Sequence, residues 1–196
     1  MKTYTKTETK NYPKLEIKYD DCPDSPRTWS NLGYFLTLDS NYNSPDTVTE
    51  YLDIITETGD IAESQEQHME LIKREVEKEL DEKVIAIYPV VKYEHGGIVY
   101  SLGNKTGFDY SNNGFYIITD KTAKELGVAK KDFDKVIENE LKTYNQYANG
   151  EVYRFVLYDD NGEVEDSCGG FYGIEDMKDH LTKEWQDEVL DEYFVE

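Results

Sequence analysis

YNQYANGEVYRFVLYDDNGEVEDSCGGFYG, Tyr144 to Gly173, is the most strongly patterned stretch of this chain. Tyr144 and Tyr147 close a helical pattern that Asn149-Gly150 stops. Val152, Phe155 and Leu157 then alternate with Tyr153 and Tyr158, the period-two signature of a strand. Asn161-Gly162 is the strongest hairpin signal in the chain and predicts a two-residue turn into a second strand. That strand ends in a Cys-Gly-Gly-Phe-Tyr-Gly corner. Helix, hairpin and a further helical pattern in succession predict an α+β fold.

Upstream, Asp132 opens the helix that feeds this stretch, with Phe133, Val136, Ile137 and Leu141 at helical spacing. Before it, FYIIT (115–119) reads as a strand, and Asp120 as the cap of a short helix that Gly127 stops. GFDYSNNG (107–114) reads as a loop. VIAIYPVVKY (84–93) is a β-branched run that predicts a central strand, with Pro89 implying a bulge, bend or exposed edge. EHGG turns it into a hairpin partner at 98–103. Pro45-Asp46 predicts a helix start, followed by Val48, Tyr51, Leu52, Ile54 and Ile55 and stopped by Gly59. Ser64 with Gln67 fits a capping box that opens a helix to about 82. YFLTL (34–38) reads as a strand or a helix start, and 20–33 as a loop pinned by Trp29 and Leu32. Leu15, Ile17 and Tyr19 predict a strand near 14–19. The first residues, with Lys2, Lys6 and Lys10, read as a mobile basic arm over 1–13 or an edge strand. No internal repeat or low-complexity linker divides the rest, so 14–196 reads as a single α+β domain. Its expected form is a largely antiparallel sheet with about four helices packed against it and an acidic C-terminal helix.

A net charge of −21 over 196 residues repels nucleic acid and favours cations or proteins whose own task is to bind polyanions. Solubility alone also accounts for such a charge. The 13% aromatic share argues against a disordered chain. No apolar run is long enough to span a bilayer, and no secretory leader opens the sequence. Cys22 and Cys168 belong to no Cys/His cluster, so neither a zinc site nor another cofactor is expected, and reduced thiols in a cytoplasm are. There is no phosphate-binding glycine loop. A calcium loop centred on Gly162 fails, because Leu157 and Cys168 occupy positions where the ion needs carboxylates.

Two surfaces carry possible function. Cys168, beside a Gly-Gly corner, forms a thiol constellation with His95 and Asp109 if the fold converges them. Glu163, Glu165 and Asp166 nearby disfavour a thiolate there, and a structural cysteine with a turn-closing histidine is the plainer reading. The other is acidic. From Asp159 onward the chain holds 14 acids against Lys178 and Lys183. Asp159, Asp160, Glu163 and Glu165 sit in the hairpin; Glu175, Asp176, Asp179, Glu184, Asp187, Glu188, Asp191 and Glu192 line one face of the predicted tail helix. Met177, Leu181, Trp185, Val189 and Leu190 form its inward face. Residues three and four apart on a helix are about 5–6 Å apart at Cβ, and duplex DNA carries one charge per roughly 1.7 Å of axis. Such a surface suits a basic groove built for DNA, and the many tyrosines supply anchors within a charged rim.

The motifs WSNLG (29–33), YEHGG (93–97), FDYSNNGFYIIT (108–119), YNQYANGEVYRF (144–155) and DSCGGFYG (166–173) resemble a family of small acidic proteins of phages and mobile elements. The resemblance covers most of the chain beyond residue 20. This chain has HGG where that family has HSG, and Cys-Gly-Gly where it has Cys-Trp-Gly. The family has no established reaction. The resemblance implies an accessory gene product in a bacterial host cytoplasm. By analogy of charge with anti-CRISPR and anti-restriction proteins, it points to a non-enzymatic inhibitor. The expected partner is a host nucleic-acid-binding protein, such as a CRISPR effector or restriction nuclease, rather than nucleic acid or membrane. Aromatic-rich strands leave a homodimer open.

Overall fold

The hairpin signal holds, although the turn differs from the one its sequence suggests. In the computed structural model, which describes residues 4–5, 14–39, 41–183 and 185–186, Gly162 N–H donates to the Asp159 carbonyl at 3.0 Å and Gly162 takes φ +83°. The Asp159 N–H in turn reaches the Glu163 carbonyl at 2.9 Å. Asp160 and Asn161 are therefore the turn centre, and Gly162 is the left-handed residue of a bulge rather than half of a two-residue turn. Asp159 fixes this geometry: its Oδ1 accepts the N–H groups of Asn161 and Glu163 at 2.9 and 2.8 Å. The Glu163 N–H bond and the further turn contacts hold its carboxyl below the usual range.

The α+β class and antiparallel pairing expected from the sequence hold, with the strands distributed over two four-stranded sheets. Among the described residues the chain divides into two compact units, 1–26 with 143–196 and 27–142. The predicted arm over 1–13 lies outside the described residues except for Tyr4 and Thr5.

The discontinuous unit carries strands β1 (Tyr4–Thr5), β2 (Lys14–Tyr19), β7 (Val152–Tyr158) and β8 (Val164–Tyr172), in the order β1-β2-β7-β8. Leu15 and Ile17 pair with Leu157 and Phe155, and both are fully buried. With Phe171, Met177 and Leu181 they form its core, against which Trp185 packs. Burying an aliphatic or aromatic side chain of this kind contributes roughly 1.5–3 kcal/mol.

The tail corrects the sequence reading. Helix α5 spans only Ile174–Lys178 and ends at Asp179. A second helical turn then begins as the Trp185 and Gln186 N–H groups bond the Thr182 carbonyl. The long, unbroken acidic helix is thus interrupted after one turn and a half. Val189 and Leu190 lie outside the described residues.

The continuous unit orders β3 (Tyr34–Thr37), β6 (Tyr110–Thr119), β4 (Val84–Glu94) and β5 (Ile98–Leu102) as β3-β6-β4-β5. Helices α1 (Thr49–Gly59) and α2 (Gln65–Glu79) bury Ile54, Ile55, Ile72 and Val76 with Leu36, Phe115 and Ile117 of the sheet. Helix α3 (Asp120–Leu126) follows β6, and α4 (Phe133–Ala148) carries the chain across the division between units.

Local details depart from the sequence reading for identifiable reasons. Segment 110–114 is strand, not loop: Asn113 Nδ2 donates to the Leu38 carbonyl at 2.7 Å, so its amide serves the sheet instead of turning the chain. Thr119, not Asp120, caps α3 through a reciprocal box with Thr122. Gln67 closes its box on the Glu63 N–H at 2.7 Å instead of on Ser64, and α2 ends at Glu79. Pro89 stays in register with Phe115, and the irregularities fall between Val84 and Ala86 and between Val90 and Lys92. The Pro89 carbonyl accepts the Gly103 N–H at 2.8 Å, one residue before β5 pairing begins at Val90.

Asp46 does not start α1, which begins at Thr49. Its carboxylate instead receives Arg27 Nε and Nη2 at 2.9 and 2.7 Å and the Phe35 N–H at 2.6 Å. Arg27 also reaches Asn31 Oδ1 and Glu140 Oε2, both at 3.0 Å, and the Gly33 carbonyl at 2.7 Å. Leu32 is fully buried as expected, whereas Trp29 stays half-exposed.

Candidate functional site

The acidic residues singled out from the sequence separate into three groups. Asp160, Glu163 and Glu165 are exposed at the β7–β8 hairpin, joined by Asp166, while Asp159 is half-buried by its turn contacts. Glu175, Asp176 and Asp179 are exposed along and just beyond α5. Glu175 is paired at 2.9 Å with the buried Lys178, which removes part of its charge from the surface field. Glu184, Asp187, Glu188, Asp191 and Glu192 lie outside the described residues.

Among the described residues strand β8 is the edge of its sheet, and its residues 164–170 are all exposed. The strand is regular opposite Phe155, Val156 and Leu157, which face Cys168, Ser167 and Asp166. Register shifts flank that run on both sides. Charged side chains and bulges are the usual devices that keep such an edge from pairing indiscriminately. Sequence reading found the acids but not the edge, because strand order is a long-range property.

The thiol constellation is divided between units. His95 and Asp109 meet in the continuous unit, Nδ1 to Oδ2 at 3.6 Å, in the β4–β5 turn and the segment before β6. The His95 ring lies 6.3 Å from that of Tyr93, and the His95 backbone N–H donates to the Gly97 carbonyl at 3.2 Å. Cys168 belongs to the other unit, where its exposed thiol contacts the Gly169 carbonyl at 3.7 Å.

One arrangement was not anticipated. Lys92, inside the β4 run, is 6% exposed. Its ammonium pairs with Asp39 and, at 2.9 Å, with Glu94. The Tyr42 ring sits 4.4 Å from the ammonium, and the Tyr42 hydroxyl donates to Glu94 at 2.7 Å. Asp39, Lys92 and Glu94 line a polar depression of about 390 Å³ with Asp109 and the fully exposed Phe108. The only sequence signal was a lysine inside a β-branched run. A larger depression of about 640 Å³ lies between the α1–α2 turn and the β5–β6 segment, lined by Gln65, His68, Asn104 and Asn112. Its amides are largely satisfied within the chain, Asn112 by the Lys105 backbone on both sides.

The charges around Lys92 predict a pH response. Burial pushes the Asp39 carboxyl up, but the Lys92 ammonium and the Asn41 N–H outweigh it and hold the group below 3.8. Burial lowers Lys92, yet Asp39 and Glu94 hold it above 10.5. The stabilisation from Asp39 is thus present above pH 3.8 and is lost as pH falls through the lower folded value. That from Lys92 is present below 10.5 and is lost as pH rises through the higher folded value. Lys92→Met strands a buried carboxylate, and should cost about 2 kcal/mol at neutral pH. Denaturant titrations should show this gap narrowing below about pH 4, where the carboxyl takes a proton. An equal gap at neutral and acid pH contradicts the pairing.

Among the described residues no group of three or more His, Cys, Asp or Glu is arranged to hold a metal ion, and no helix is long and apolar enough to cross a membrane. No protein family, curated protein or solved structure matches the chain.

Proposed function

We propose that this chain is a non-enzymatic inhibitor of a nucleic-acid-binding protein, its acidic surface occupying a basic groove built for DNA or RNA. The reading takes the chain as a phage or mobile-element product acting in a bacterial cytoplasm, with a CRISPR effector or restriction nuclease as target. The observation that carries it is the β8 edge with its hairpin, where Asp160, Glu163, Glu165 and Asp166 stand exposed and no Lys or Arg occurs between 159 and 173. The exposed acids of α5 and the net charge of −21 extend the same field.

Competition measures this directly. A purified restriction endonuclease or guide-loaded CRISPR effector, held on labelled duplex DNA, should release it when the protein is added at low salt. The effect should fade at high salt, because a contact made by exposed charges is screened. The quadruple variant D160K/E163K/E165K/D166K should weaken competition by about tenfold or more. Competition that survives both high salt and this reversal overturns the proposal.

A further inference from the structure

We infer that the β8 edge binds its partner by strand addition: an extended, Lys/Arg-rich segment of the partner protein pairs with the backbone around Ser167. This rests on the acidic-surface reading and specifies how that surface engages protein.

Backbone geometry identifies the open groups. The Asp20 N–H donates to the Val152 carbonyl at 2.8 Å, which turns Val152 toward β2. Residues of a strand alternate the side to which their N–H and carbonyl point. Arg154, Val156 and Tyr158 therefore also bond β2, in register with Lys18, Glu16 and Lys14. Tyr153, Phe155 and Leu157 are left to bond β8. The Asp159 N–H bond to Glu163 across the hairpin agrees with this phase. Phe155 and Leu157 face Cys168 and Asp166, whose backbone groups are consequently used inside the sheet. Ser167, opposite Val156, directs its N–H and carbonyl outward at an exposed edge. The regular edge closes at Gly170, whose N–H is taken by the Asp20 carboxylate at 2.9 Å.

Charge selects the occupant. Asp160, Glu163, Glu165 and Asp166 flank Ser167 on the hairpin side without a compensating cation between 159 and 173. A second copy of β8 adds more carboxylates to that edge, and like charges across a strand pair are unfavourable. A basic strand supplies the opposite sign at the same positions. In strand addition the main-chain bonds give affinity and the side chains give selectivity.

The test separates backbone pairing from charge. The probe is a short synthetic peptide alternating Lys with Thr, compared with the same peptide N-methylated at every residue, which keeps the charge and removes the backbone donors of both its edges. Fluorescence anisotropy should show the unmodified peptide binding about tenfold tighter, with slowed hydrogen exchange at the Ser167 amide. Ser167→Pro, which removes an outward N–H at an edge where proline is tolerated, should abolish the difference, whereas Ser167→Ala should retain it. Equal binding of both peptides, or binding of neither, overturns the inference. Ser167→Pro that misfolds leaves the peptide comparison decisive on its own. Concentration-dependent self-association that Ser167→Pro abolishes would assign the edge to a second copy instead. If both peptides bind alike and D160K/E163K/E165K/D166K abolishes binding, strand pairing falls while the acidic-surface reading stands.

Discussion

Arg27→Met should destabilise the continuous unit by about 3–5 kcal/mol, the cost typical of removing one partner from a buried ionic cluster. Arg27 is 5% exposed, and its contacts to Asp46, Asn31, Glu140 and the Gly33 carbonyl use every N–H donor of the guanidinium. Burial opposes the cation, but Asp46, Tyr116 and Glu140 together hold its pKa far above the ordinary value. Met fills a similar volume, so the loss is electrostatic rather than a cavity. Asp46 and Glu140 are left facing each other in a poorly solvated place. Burial, with Glu140 next, also drives the Tyr116 phenol well up, so that hydroxyl stays neutral and adds no third negative charge to the two carboxylates. Adding Asp46→Asn to Arg27→Met should recover part of the loss. Urea unfolding followed by far-UV circular dichroism reads both; a change under 1 kcal/mol for Arg27→Met would show that the cluster is energetically idle.

Gly33→Ala should be nearly as damaging, at about 3 kcal/mol, the upper end for overpacking. A Cβ on Gly33 would stand 2.3 Å from the Ile117 carbonyl oxygen and 2.8 Å from Tyr116 Cε1. The first of these is β6 backbone beside the start of β3, which cannot swing away as a side chain can. Moving it breaks the Gly33 N–H bond to the Tyr116 hydroxyl, 3.0 Å, and displaces the carbonyl that Arg27 holds. The two substitutions act on one cluster, so the double variant should lose less than the sum. Thermal unfolding of the two single variants and the double variant decides it, and full additivity argues for independent causes.

These two positions also show where sequence reading stops. The loop over 20–33 was legible from its prolines and acids, but nothing in it singles out Arg27. Its carboxylate partners are 19 and 113 residues away, and nothing local marks them. Asp46 was misassigned as a helix start for the same reason: a side chain with a good local role was taken by a better distant one. Elements governed by periodicity were readable, among them the 14–19 strand, the helical stripe of 51–55 and the alternation of β7. Segment 110–114 was not, because Asn and Gly favour turns until a neighbouring strand supplies partners for their amides. The acids of the hairpin were visible in composition alone, whereas their position on an open edge needed strand order. His95 and Asp109, grouped with Cys168 only on condition that the fold converges them, lie 3.6 Å apart. The division that assigns Cys168 to another unit has no local signature.

The sheet that holds β8 is assembled from both ends of the chain, β1 and β2 before residue 26 and β7 and β8 after residue 143, with the other unit continuous between them. During synthesis the middle unit is therefore complete while β2 still lacks its partner β7. The ribosome must deliver more than a hundred further residues before Leu15 and Ile17 can meet Leu157 and Phe155. Closing so long a loop is slow relative to local pairing, so the β2–β7 pairing is expected to trail the local pairings of the middle unit. The charge of the emerging carboxyl-terminal segment keeps it solvated in the interval.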